Sequence, residues 1–517
     1  MRLIRNAVSV GSFTALSRIL GFVREWLQAH YIGASITTDA LNFAISFPSF
    51  FRRIFAEGAL NASFVPIFSS TLAGEGVEEA RKFAESVLSL LAGFLSILVL
   101  LMILQSENII PWILPGFKNQ PERLLLTVKF IKITFPFLLF ISLTAFFSGM
   151  LNSVEKFIAA ASSPAIGNLV IIATLISLSG FGNNPANALA IGVLGCGIVQ
   201  FLWVFIPSQR SGVRLSLKIP RLTPKVKTFF RRLMPAALGA SVVQINLIVD
   251  MMLSSYLPEK CFSFLKYADR FSQLPISIIG TAVSTALLPM LSRQLRNGEY
   301  QEAHKSQNRS IEFVLFFSLP IMIVFIFMAH EIISAFYVHG KFKSIYVDPT
   351  AKTLVAFVVG LPAYVLVKVF STSFFSRGDT RTPVVIAVMA VLLNFGLNLI
   401  LIQKYHQIGM AIASASSAFV NAVLLGIILY VRGFFKLDDK LRRFLPRVIL
   451  AAIGLVAYLY ILNPVILKFL ATHINYKWIS TLLVLGLAGV FYLSFSYLIG
   501  IFTVGRLKEH FSARGNS

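Results

Sequence analysis

Phe157–Gln209 reads FIAAASSPAIGNLVIIATLISLSGFGNNPANALAIGVLGCGIVQFLWVFIPSQ and contains no Lys, Arg, Asp or Glu. The hydrocarbon core of a bilayer, about 30 Å thick, is crossed by about 20 apolar residues in a helix. This stretch is long enough to cross twice, and Gly180-Phe-Gly-Asn-Asn-Pro185 supplies the turn between the crossings. A β-barrel would need segments of about 10 residues alternating apolar and polar, which the stretch lacks. It therefore predicts a pair of transmembrane helices.

Working outward, the same freedom from charge recurs at Ser86–Ser106, Ile133–Val154, Phe271–Ser292, Val384–Gln403, Tyr405–Val431, Val448–Leu467 and Trp478–Gly505. The chain is 56% hydrophobic and 13% charged, where soluble domains carry about 25% charged residues. With weaker segments added, the pattern predicts an all-α integral membrane protein of fourteen transmembrane helices. The first apolar segment is retained as a helix, because Arg18 interrupts it and no A-x-A cleavage pattern follows.

The net charge of +24 does not imply nucleic acid. With both termini in the cytoplasm, well over half of the 46 Lys and Arg fall in inward-facing segments, eight of them between Arg210 and Arg232 without an acid. That asymmetry is the orientation signal of a membrane protein and a contact surface for anionic lipids.

An internal repeat organises the helices. Pro66-Ile-Phe-Ser69 matches Pro289-Met-Leu-Ser292, and the same offset pairs Leu72 with Leu295, Glu79 with Glu302, Ala80 with Ala303 and Lys82 with Lys305. Further on, Pro136 matches Pro362 and Asn168 matches Asn394. The expected layout is an N-lobe of six helices over 1–210 and a basic cytoplasmic linker over 211–232. A C-lobe of six helices follows over 233–432, and two C-terminal helices with a tail occupy 433–517. Both lobes start on the cytoplasmic side, so the repeat is parallel. Transporters built from repeats place their site near the midplane and rock one repeat against the other.

Eight basic residues lie inside predicted helices: Arg18, Arg24, Arg52, Arg53, Lys132, Lys266, Arg270 and Lys368. They face five acids, Glu25, Asp39, Glu57, Asp250 and Asp269. A charge at the bilayer centre costs roughly 3 kcal/mol or more, so it faces a partner or a watery cavity. Arg53 and Glu57, four apart, suit each other as a pair. The cationic remainder needs an anion, and the planar fork of arginine matches phosphate. Arg18, Arg24, Arg52 and Arg270 are therefore the candidate substrate ligands, with Ser17, Glu25, Asp39, Arg53, Glu57 and Asp269 in support. Ser17, Gly21, Arg24 and Gln28 share one stripe of the first helix. Asp250, with Asn394 and Asn398, supplies the hard oxygen ligands of a candidate sodium site; polar groups satisfying one another between helices is the alternative reading.

Enzyme signatures are missing. There is no phosphate-binding G-x-x-x-x-G-K-[ST] and no H-E-x-x-H, and the seven His lack ligand spacing. The two cysteines, Cys196 and Cys261, form no framework. No cofactor is expected; energy would come from a coupling cation, sodium or proton, or from the membrane potential.

Several long motifs resemble one family: Ser17-Arg-Ile-Leu-Gly-Phe-Val-Arg24, Arg52-Arg-Ile-Phe-Ala-Glu-Gly58, Lys132-Ile-Thr-Phe-Pro136, Tyr267-Ala-Asp-Arg270 and Ser376-Arg-Gly-Asp-Thr-Arg-Thr-Pro383. The chain is similar over essentially its whole length to the MurJ (MviN) lipid II flippases of the multidrug/oligosaccharidyl-lipid/polysaccharide exporter superfamily. The resemblance implies two six-helix lobes around a cationic cavity, and a groove lined by the last two helices for the polyprenyl tail. It also implies function for the arginines at 18, 24, 52 and 270 and for Asp39. Glu25 stands where the family pattern suggests Asp. The expected partner is lipid II, with membrane lipids around a monomer in the bacterial cytoplasmic membrane. A flippase for another polyprenyl-pyrophosphate-linked saccharide is the nearest alternative. A multidrug/cation antiporter is a further one, disfavoured because it would need an acidic cavity.

Overall fold

The computed structural model describes residues 2–55, 59–182, 184–210, 212–462, 465–466, 470 and 477–501. Among these the chain is helical without a strand, as lipid demands, because each backbone N–H and C=O must then find its partner inside its own segment. The first half comprises α1 Arg2–Tyr31, α2 Ile36–Phe55, α3 Ala59–Gly74, α4 Val77–Ile113, α5 Pro121–Thr134, α6 Phe137–Ser153, α7 Phe157–Gly180 and α8 Pro185–Gln209. The second comprises α9 Pro224–Ser254, α10 Cys261–Arg296, α11 Tyr300–Tyr337, α12 Val347–Val359, α13 Leu361–Phe375, α14 Arg381–Val431, α15 Asp439–Ile461 and α16 Lys477–Leu498. Among the described residues, ten segments are long and apolar enough to cross a membrane. The remaining helices are compatible with fourteen crossings.

The helix breaks have local causes. α5 gives way to α6 at Pro136, and α12 to α13 at Gly360 just before Pro362; proline lacks the N–H that a continuing helix needs. These are the two prolines that the repeat aligns. At 1.5 Å per residue, the 51 residues of α14 would span about 76 Å, more than two bilayer cores. His406, at φ 49° and ψ −128°, breaks it into two arms. The arms meet at once: a Cβ on Gly409 would lie 2.5 Å from the Leu401 carbonyl oxygen.

Repeat-related positions carry the same local chemistry. Lys82 pairs with Glu79 at 2.8 Å on α4, and Lys305 with Glu302 at 2.7 Å on α11. Ala80 and Ala303, one residue beyond each acid, are both fully buried.

The chain divides into two compact units, Met1–Ser263 with His339–Phe342, and Phe264–Val338 with Lys343–Ser517. In the first, α9 packs on α2, α3 and α4. The linker itself is laid along this unit. Val213 and Leu215 are buried with Phe83 and Phe147. Glu85, 3% exposed, accepts the Ser216 N–H and hydroxyl at 3.1 and 2.9 Å and pairs with Lys218 at 2.9 Å. His339–Phe342 docks on the end of α1, where the Lys341 N–H donates to the His30 carbonyl at 2.9 Å. Gly33 and Gly340, both at positive φ, permit that approach: a Cβ on either would lie within 2.5 Å of the opposing carbonyl oxygen.

In the second unit, Ile279, Val283 and Leu287 of α10 form one core with Val365 and Val369 of α13 and Val448 of α15. α15 and α16 pack on each other and on α11, and the Tyr492 hydroxyl donates to the Phe316 carbonyl at 3.0 Å.

Candidate substrate-binding site

The polar stripe of α1 faces α2 and α7. Arg24 reaches Asn168 Oδ1 at 3.2 Å and Glu25 at 3.3 Å. Asn168 Nδ2 in turn donates to the Ser17 carbonyl at 3.1 Å and to its own helix at Pro164. One turn further along, buried Gln28 donates to Asn42 on α2 at 3.0 Å. Arg24 is thus held by an amide on a neighbouring helix while its side chain stays 29% exposed. Both of its contacts lie at the long end of the range for N–H···O bonds. The sequence showed Asn168 only as a marker of the repeat; its role as the clasp of Arg24 was not anticipated.

Arg18 and Arg53 are exposed, and Arg52 is half-buried on α2. Glu57, the expected partner of Arg53, lies outside the described residues.

Asp39 sits in a different kind of site. It is fully buried, and Arg123, 1% exposed, donates to it at 2.8 Å. The N–H groups of Lys260 and Ser263 donate to its two oxygens, each at 2.8 Å, and the Ser263 hydroxyl adds another bond. Asp39 thereby caps the start of α10, where an anion complements the exposed N–H groups and the helix dipole. Arg123 also donates to the Leu257 carbonyl at 2.9 Å and Gln120 at 3.0 Å, and lies over the Phe117 ring at 4.4 Å. Arg123 is a core residue. Close packing reinforces the joint: a Cβ on Gly116 would lie 2.5 Å from the Ser255 backbone.

Lys132 pairs with Glu107 at 2.8 Å in an exposed contact, at 38% and 69%. With Lys132 paired to Glu107 and Asp39 engaged by Arg123, the first unit retains Arg18, Arg24, Arg52 and Arg53 against Glu25, Asp250 and Glu57. The second unit retains Lys266, Arg270 and Lys368 against Asp269 and the half-buried Glu331 of α11. Each unit carries a cationic excess.

In the second unit Arg270 is half-buried on α10. Its neighbour Asp269 accepts from Ser272 and Gln273 of the same helix at 3.3 and 3.2 Å. The stem of Lys368 passes Gly280, whose missing Cβ would lie 3.5 Å away. Asn394 and Asn398 are buried and hold each other at 2.9 Å, with Ser414 at 3.4 Å from Asn394; Asp250 belongs to the first unit. Among the described residues no group of three His, Cys, Asp or Glu could hold a metal ion.

The Ser376–Pro383 motif builds a tight corner between α13 and α14. Arg377 donates to Ser373 and Phe434 carbonyls at 2.7 and 3.2 Å. Asp379 accepts the Thr382 N–H at 3.0 Å and its hydroxyl at 2.7 Å, and pairs with Arg432 at 2.7 Å. The Thr382 N–H, its hydroxyl and Arg432 together hold the Asp379 carboxyl below the usual carboxylate range.

Comparison with known proteins matches this architecture. The family model described as lipid II flippase MurJ covers residues 28–503. A probable lipid II flippase MurJ of Rhizobium tropici is 36% identical, covering 99% of this chain and 97% of the relative. Its counterpart in Haemophilus influenzae is 32% identical over 94% and 98%. A solved lipid II flippase MurJ in an inward closed conformation superposes with a TM-score of 0.79 at 30% identity, covering 95% and 98%. An inward-facing multidrug resistance MATE transporter, 14% identical over 82% and 98%, shares the fold alone at a TM-score of 0.68. The chain belongs to the MurJ family.

Proposed function

We propose that this multi-pass membrane protein flips lipid II, the lipid-linked peptidoglycan precursor, from the inner to the outer leaflet of the bacterial cytoplasmic membrane by alternating access. Arg18, Arg24, Arg52 and Arg270 are its proposed pyrophosphate ligands, whose charge offsets that of the head group while the tail stays in lipid beside α15 and α16. The observation that carries this reading is Arg24. It is held by Asn168, an uncharged amide on another helix, and by a long contact to Glu25, and it remains reachable. A cationic excess in each unit suits a diphosphate and opposes a cationic drug. Both termini lie in the cytoplasm, the protein acts as a monomer and transporter rather than an enzyme, and an ion gradient or the membrane potential drives the cycle. A sodium ion at Asn394 and Asn398 would have to compete with the bond between them.

The test is an accessibility assay for lipid II at the outer face after depletion of the native protein, with complementation by variants. Arg270→Ala, inserted and folded, is expected to lose transport at least tenfold. Normal flipping by that variant would remove Arg270 from the site.

A further inference from the structure

We infer that a cleft at one end of the second unit is a phospholipid site selective for a primary-ammonium head group, that of phosphatidylethanolamine. The cleft, about 560 Å³, lies between α11, α12 and the second arm of α14, within the size range of small-ligand sites. Two backbone irregularities frame it. Met328, at φ −115° and ψ 15°, bends α11 just before Glu331, and His406 reverses α14 just before Ile408 and Ile412. The floor is apolar, from Phe327, Val355, Ile408 and Ile412. The rim carries Glu331, Asp348 and Lys352, with the exposed ring of His330 beside them.

The charges define the guest. Glu331 is half-buried in the lining, and its Oε2, shielded from water, accepts no hydrogen bond among the described residues; such an acceptor is costly, and a turn of the carboxylate about its soft terminal torsion would present it to a donor in the cleft. Asp348 and Lys352 pair at 2.8 Å across one turn, both more than 60% exposed, and exposed pairs of this kind exchange partners readily. A primary ammonium carries three donors, enough for Glu331 and Asp348 together. Lys352 then receives the adjoining phosphate, and an acyl chain lies along the floor. A quaternary ammonium has no N–H to give Glu331. An anionic glycerol head would meet two carboxylates against one lysine.

None of the candidate arginines lines this cleft, so it stands apart from the transport site. Only the leaflet rests on the orientation proposed above, which places the cleft toward the outer face; binding itself does not depend on it.

The test uses the full chain, delipidated in detergent, with thermal unfolding and native mass spectrometry during titration with phosphatidylethanolamine, phosphatidylcholine or phosphatidylglycerol of one acyl composition. Phosphatidylethanolamine is expected to stabilise saturably and to bind about tenfold more tightly than the other two, as a charge-assisted hydrogen bond allows. Glu331→Gln should erase that preference and leave the responses to the other lipids unchanged. Equal binding of all three lipids, or an intact preference in Glu331→Gln, would overturn the assignment. Val355→Trp fills the floor and decides the matter if Glu331→Gln does not fold: retention of saturable phosphatidylethanolamine binding in it would also overturn the assignment.

Discussion

Two arginines of the first unit, Arg123 and Arg24, show how differently one residue type behaves in a membrane protein. Arg123 is sealed: 1% exposed, with a carboxylate, a backbone carbonyl and a side-chain amide at 2.8–3.0 Å and a ring at its face. Arg24 is 29% exposed and is held at 3.2 and 3.3 Å by Asn168 and Glu25. A buried ion whose two terminal nitrogens are already engaged at short distance has little to offer a ligand, and breaking it leaves a stranded charge. Longer, hydrated contacts yield to a better acceptor at little cost. Short sealed bonds therefore mark architecture, and long open ones mark a place for a guest.

The largest effect should come from the sealed site. Asp39→Ala strands the Arg123 guanidinium and uncaps α10, so we expect a loss of about 3–5 kcal/mol, read as earlier thermal unfolding in detergent. A loss below about 1 kcal/mol would show that Arg123 finds another partner and would weaken the contrast. Next comes Arg24→Ala, which should leave the unfolding temperature within experimental scatter yet sharply reduce lipid II exposure at the outer face. Destabilisation comparable to that of Asp39→Ala would make Arg24 architectural too. The smallest effect concerns Asp379, outside both sites. Its carboxyl is held below the usual range in the folded state, so its contribution is present above the unfolded value of about 4 and fades as pH falls below it. Stability measured between pH 6 and 3 should therefore drop slightly more for the parent than for Asp379→Asn; identical profiles would show that the Thr382 cap does not depend on the charge.

The same pair explains what the sequence could reveal. Charge-free runs announce helices because lipid forbids charge, and the two runs on either side of Lys404 fall on the two arms of α14 that His406 separates. Arg24 was legible because it interrupts an apolar helix. Arg123 was not: it follows Gln120 and Pro121 at a helix start, where a basic residue reads as solvated, and its partner Asp39 lies 84 positions away. Local pattern carries no information about such a pairing. Asn168 was hidden for a related reason, since a lone amide in an apolar run has no periodic signature and only its bond to Arg24 gives it meaning. Lys132 read as a lone charge for the same reason, because its partner Glu107 sits across a loop on a neighbouring helix.

The strand of chain between α8 and α9 has a further implication. The sequence marks it as a basic linker, and Glu85, Gln209 and a greasy seam at Val213 and Leu215 splint it as far as Lys218. A splinted connector stores little slack. Whatever bending a transport cycle asks of this molecule must be absorbed at other joints, and trimming or lengthening this connector would be felt as damage to the first unit instead of as a change in reach.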